Sequence, residues 1–221
     1  MIKFEKTEVF NFEGAIRGMR NPLNSWDKSD TNFNMYGYPM GDEIGPNDLD
    51  LMKRLIKAGS DHRKFMRQIL VSVDITAPLY WWKEFDTYKV ATVSNSCSTM
   101  HKIHDKEFTL NDFSCEKLSN SALSVLLDVI DDLNRSRLPF VGECEDIPKG
   151  RKEDWWDMIQ LLPSSYNQKR TITLNYETLY NIYGSRRNHK LDEWSIGFMD
   201  WIASLPYAKE LIIDRSTVEN E

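Results

Sequence analysis

Apolar and polar positions alternate strictly through residues 68–76, where Ile69, Val71, Val73 and Ile75 share one face and Ser72, Asp74 and Thr76 the other. A period of two predicts a strand buried on one side. Ala77-Pro78 ends it, and residues 79–88 predict an aromatic-rich helix. Elsewhere the period is helical. Leu49, Met52 and Ile56 fall at i, i+3 and i+7 behind the start signal Pro46-Asn47, and Gly59 stands just past the end. Leu118, Ala122, Leu126, Val129, Ile130 and Leu133 mark a long amphipathic helix, and a shorter one covers residues 153–162 before Pro163. Ile172 and Leu174 define a strand over 170–175, followed by a helix over 177–185. A last helix lines Trp194, Phe198, Trp201 and Ile202 along one stripe. Ahead of all these, residues 1–11 predict a short strand and 12–19 a short helix.

Three stretches break the periodicity. Residues 20–46 are rich in Asn, Gly, Pro and aromatics and predict a long ordered loop, a length that usually serves a function or covers an interface. Residues 91–112 read as irregular and 134–153 as a second loop, and the tail from 207 to 221 is expected to fray. Helices with a few segregated strands make the fold class α+β, in one domain spanning 1–221.

Composition narrows the partners. The 221 residues are 41% hydrophobic, enough for a sizeable core, and the net charge of −6 supplies no basic field for nucleic acid. No run reaches the ~20 apolar residues of a membrane span, and Met1-Ile2-Lys3-Phe4-Glu5 does not read as a signal peptide. Cys97, Cys115 and Cys144, an odd set without a CxxC, point to reduced thiols in a cytoplasm and away from zinc.

Three segments carry a further pattern. Gly59-Ser60-Asp61-His62-Arg63-Lys64-Phe65-Met66 precedes the first alternating strand, which closes on Ile75-Thr76-Ala77-Pro78. Residues 87–100 read TYKVATVSNSCSTM. The run LPSSYNQKRTITLNYETLYNIYGSRRNHKLDEW joins an LP turn, a Thr-rich strand, an Asn-bearing helix, an arginine and a Trp-containing segment. Over residues 45–205 these segments resemble the flavin-dependent thymidylate synthases. The first looks like the family's G-H-E-T-P-F, and the second occupies the frame of its RHRxxSxNExSxRY signature. The third is similar to its LP…YT…W-T-x-N-x-R-S-L-x-N-F…L-R…H-A-Q-W-E run, gap-free from the LP turn to Arg186. His189 and Trp194 match the ends of H-A-Q-W with an insertion between them.

The resemblance implies a homotetramer whose active sites are shared between subunits. Its chemistry converts dUMP to dTMP with FAD, NADPH and methylenetetrahydrofolate. It places His62, Lys64, Tyr88, Lys89, Asn95, Asn175 and Asn181 at cofactor-binding positions. Glu84, Cys97, Ser98, Thr99 and Arg186 fall at substrate-binding positions, with Arg186 polarising the uracil. The signature frame itself is altered: RHR reads Thr87-Tyr88-Lys89, Asn-Glu reads Ser94-Asn95, the motif serine is Cys97 and the motif arginine Thr99. A second phosphate-binding arginine position holds Ile159, and Glu177 replaces the first arginine of the third run.

Each residue also has a plainer role. Arg186-Arg187 is a favourable charge pair at a helix end, His62 a loop histidine, Lys89 a surface lysine and Tyr88 a core tyrosine. Cys97 is either a thiol able to attack a pyrimidine ring or a small buried hydrophobe. Asp128, Asp131 and Asp132 form the wet face of their helix rather than a metal site, and the Trp81-Trp82 and Trp155-Trp156 pairs read as core and interface mass. Two other functions stay open: an inactive relative serving as a nucleotide-binding or interaction module, and a flavoprotein reductase acting on another substrate.

Overall fold

The computed structural model describes residues 2–214. Four strands, β1 (Lys3–Phe10), β2 (Leu70–Pro78), β3 (Val93–Ser96) and β4 (Asn167–Asn175), form one small antiparallel sheet in the order β1-β2-β4-β3. Among the described residues seven α-helices accompany it: α1 (Phe12–Arg20), α2 (Pro46–Lys57), α3 (Leu79–Phe85), α4 (Asn120–Val141), α5 (Lys152–Leu161), α6 (Tyr176–Arg186) and α7 (Met199–Ala203). The segregated strands and helices make the fold α+β. The alternation predicted for β2 is obeyed: Ile69, Val71, Val73 and Ile75 are buried while the intervening residues are partly exposed.

The chain divides into two compact units. One contains Ile75–Thr87 and Asn95–Arg170. Its core is Ile103, Phe108, Phe113, Leu126, Ile130, Leu133 and Met158, where α4 packs on α5. The other contains Phe4–Asp74, Tyr88–Ser94 and the chain from Thr171. It contains an aromatic row: Trp194 meets Phe198 edge to face, Phe198 lies tilted against Trp201, and Phe4 stacks parallel to Trp201 at 4.9 Å.

Three expectations are corrected. Helix α4 does not stop at Leu133 but runs through Pro139 to Val141, where Gly142, at φ 85°, takes the left-handed turn that an α-helix C-terminus favours. The 91–112 stretch contains β3, whose four residues are all exposed and so carry no hydrophobic alternation. The tail from 207 does not fray at once. Residues Lys209–Ile213 form a π-helical turn with Leu211 and Ile212 each 1% exposed, and residues 215–221 lie outside the described ones.

The loop over 20–46 is held from α2. Asp48, fully buried, accepts hydrogen bonds from Arg20, Ser29, Thr31 and the backbone of Asp30 and Thr31. Asp30 in turn caps α2, its carboxylate accepting from the backbone N–H groups of Asn47 and Asp48. Among the described residues no helix is long and apolar enough to cross a membrane.

Candidate active site

The expected site residues fall into separate groups. The first is built on Arg186, the last residue of α6, whose guanidinium Nε donates to the Tyr88 hydroxyl at 2.8 Å. The same guanidinium lies 5.1 Å from the Trp194 ring centroid and 5.6 Å from that of Tyr88. Tyr88 meets Trp194 edge to face at 6.3 Å, and His189 meets it likewise at 6.4 Å. Trp194 is fully buried, so the cradle has a rigid floor. Tyr88 is half-buried and serves neither as an inert core residue nor as an isolated surface group.

The second group lines a cavity of about 1130 Å³ within the first unit. Cys97, Ser98 and Thr99 open onto it together with Lys102, Lys106, Asp112, Cys115 and Tyr166. Cys97 is exposed, which overturns its placement as a buried hydrophobe. Its backbone N–H continues the β3–β4 pairing by donating to Lys169 at 2.9 Å. Ser98 Oγ is spent locally, accepting from the backbone of Met100 and His101. The cavity wall is held by Lys106 paired with Asp112, whose other oxygen accepts from Thr109. Burial alone would raise the Asp112 carboxyl. Lys106 and Thr109 outweigh it and hold the group below its ordinary value. Burial raises the Tyr166 phenol, with Lys106 opposing and Asp112 and Cys97 adding to the rise.

The third group surrounds Glu177. Its carboxylate, 11% exposed, pairs with Arg63 at 3.3 Å and with Arg67. Arg63 also lies over the Tyr180 ring at 4.6 Å. His62 and Lys64 flank Arg63 in the sequence and are both exposed. The carboxylate therefore ties the Arg63–Gln68 turn to the first turn of α6. Asn175 is the N-cap of that helix, its side-chain oxygen accepting from the Thr178 backbone N–H at 2.9 Å. Asn181, Lys89 and Asn95 are exposed, and Glu84 is half-buried near the end of α3.

Sequence reasoning did not anticipate Tyr166, Asp112, Lys106 or the arginine partners of Glu177. The TLND run at 109–112 had a readable signal, the capping-box spacing, and the structure forms that box between Thr109 and Asp112. The Glu177 pairs join residues more than a hundred positions apart and leave no local trace. Trp81 and Trp82 are buried as expected, whereas Trp156 is 42% exposed. Among the described residues no group of three His, Cys, Asp or Glu side chains could hold a metal ion.

Neither a family model nor a curated relative matches the sequence. Solved structures do. The crystal structure of thymidylate synthase X (ThyX) from Helicobacter pylori with FAD and dUMP superposes with a TM-score of 0.67 at 15% identity, covering 100% of both chains. A second structure, flavin-dependent thymidylate synthase ThyX from Helicobacter pylori complexed with FAD and dUMP, gives 0.64 at 15% identity, over 95% of this chain and 99% of the other. The fold is that of the flavin-dependent thymidylate synthases. Within that fold the altered signature positions keep a physical structure of their own: Tyr88 bonds to Arg186, and Cys97 and Thr99 line the cavity beside Lys102.

Proposed function

We propose that the chain is a flavin-dependent thymidylate synthase-like enzyme that methylates dUMP or a related pyrimidine nucleotide. Methylenetetrahydrofolate and NADPH serve as co-substrates, and the enzyme works as a cytoplasmic homotetramer of single 1–221 domains. The observation that carries this reading is the fold match over the full length of both chains, to a neighbour solved with FAD and dUMP. Active sites shared between subunits have no need to gather every residue within one chain.

The flavin site draws on His62, Lys64, Tyr88, Lys89, Asn95, Asn175 and Asn181. The available groups suit FAD: Lys64 and Lys89 are exposed cations for its pyrophosphate, and Thr92 Oγ1 is buried without a hydrogen-bond partner. When bound, FAD supplies the reducing equivalents of the reaction. Glu84, Cys97, Ser98, Thr99 and Arg186 serve the nucleotide. Arg186 donates toward the ring oxygen on which negative charge develops, and its aromatic cradle holds it ready for that role. Thr99 carries no charge, so Lys102 in the same cavity supplies the cation for phosphate, without the two-pronged geometry of arginine.

A second reading, an inactive nucleotide-binding or interaction module, is favoured by the local use of the Ser98 hydroxyl and the Asn175 side-chain oxygen. The visible absorption spectrum after incubation with FAD and desalting separates the two. A retained, shifted flavin band and dTMP formed from dUMP, methylenetetrahydrofolate and NADPH are expected. A colourless protein at micromolar concentration rules out the synthase reading and leaves the module.

A further inference from the structure

The Tyr88 hydroxyl is the feature that the fold match leaves unassigned. Arg186 Nε donates to its oxygen at 2.8 Å, which sets a cationic donor against the phenol oxygen. A phenol has one hydrogen to give, and among the described residues the Tyr88 O–H donates to no other group. The ring is locked on two sides, edge to face against buried Trp194 at 6.3 Å and beside the guanidinium at 5.6 Å. The residue is half-buried, so a bound molecule can approach it. A phenol that accepts from a guanidinium is polarised and becomes a stronger donor to a third group. The guanidinium beside it repels a donor and favours an oxygen that carries or gains negative charge.

We propose that Tyr88 is a specificity residue for the nucleotide base: its O–H, polarised by Arg186, donates to a ring carbonyl oxygen and rejects a ring that presents an amino group there. This assignment rests on the nucleotide-binding reading given above and moves Tyr88 from the flavin set to the nucleotide set, beside Arg186. The discrimination assigned to Tyr88 is between pyrimidine diones, of the uracil type, and aminopyrimidines of the cytosine type. The chemistry is that of a preplaced donor, which discriminates through the hydrogen bond left unmade with the wrong ring.

The test is calorimetric titration of the full-length wild type, Tyr88→Phe and Tyr88→His with dUMP and with dCMP, whose ring carries an amino group in place of the dUMP C4 carbonyl. Phenylalanine keeps the ring against Trp194 and removes only the oxygen. The wild type is expected to prefer dUMP, Tyr88→Phe to lose roughly tenfold of that preference, and Tyr88→His, with a ring N–H donor, to recover part of it. A purely structural tyrosine would weaken both nucleotides by the same factor, so an unchanged dUMP-to-dCMP ratio in Tyr88→Phe overturns the assignment. A wild type that binds both nucleotides equally also overturns it, while leaving the nucleotide reading intact. A wild type that binds neither overturns the nucleotide reading itself.

Discussion

Asp48 shows how much one carboxylate can organise. It is fully buried and faces Arg20, itself 4% exposed, with Nε at 2.7 Å. Burial by itself would raise its pKa. Hydrogen bonds from Thr31, Arg20 and Ser29 outweigh that and hold the group below its ordinary value. A depressed folded-state pKa stabilises the protein above the unfolded value near 3.8, and that stabilisation is lost as the pH falls through the lower folded value. Replacing one partner leaves a buried arginine uncompensated. Asp48→Asn is therefore expected to cost roughly 3–5 kcal/mol in urea unfolding at neutral pH and to flatten the loss of stability as the pH falls below the unfolded value of 3.8. Equal acid sensitivity in variant and wild type would contradict this account.

The same network governs the element that follows it. Helix α2 has no cap from its own N-cap residue, Gly45, and borrows the Asp30 carboxylate from the preceding loop. The loop backbone passes so close that a Cβ on Gly45 would stand 2.3 Å from Asp30 Oδ1 and 2.6 Å from the Asp30 carbonyl carbon. Backbone cannot swing aside as a flexible side chain can. Gly45→Ala should thus displace the cap and destabilise the protein by about 1–2 kcal/mol, with faster amide exchange at Asn47 and Asp48. Unchanged exchange there would show that the cap survives. Helix α6 is fixed differently, by its own Asn175 cap and by Glu177 between Arg63 and Arg67, which sets where Arg186 emerges at its far end.

At the level of the whole molecule, residues 207–213 belong to the fold. Tyr207 packs against Phe12 with ring centroids at 5.9 Å and its hydroxyl accepts from the Ile44 backbone, while Leu211 and Ile212 are buried. Burying each of those two aliphatic side chains stabilises by roughly 1.5–3 kcal/mol, a large share of the ~5–15 kcal/mol that separates folded from unfolded chains. Truncation after Pro206 is expected to lower the melting temperature by about 10 °C or more, measured by circular dichroism; an unchanged midpoint would show that the segment is dispensable.

What the sequence alone determined was whatever a local spacing can report. The period of two in β2, the helical stripes of α2 and α4 and the placement of Arg186 at the end of a helix were legible because each depends on residues within a few positions of one another. The altered segment at 87–100 was legible as a departure, but its consequences were not. Its strand β3 is short and wholly exposed, so no apolar pattern marked it. Helix α4 continued past its last regular apolar position, where Pro139 is buried and Phe140 packs against the core, a decision made by partners elsewhere in the chain. Only the tertiary structure decided that Cys97 opens onto a cavity, that Glu177 pairs with two arginines, and that Tyr88 meets Arg186 across 98 positions of sequence. Burial and charge pairing belong to neighbours in space, and for these residues the neighbours are distant in sequence.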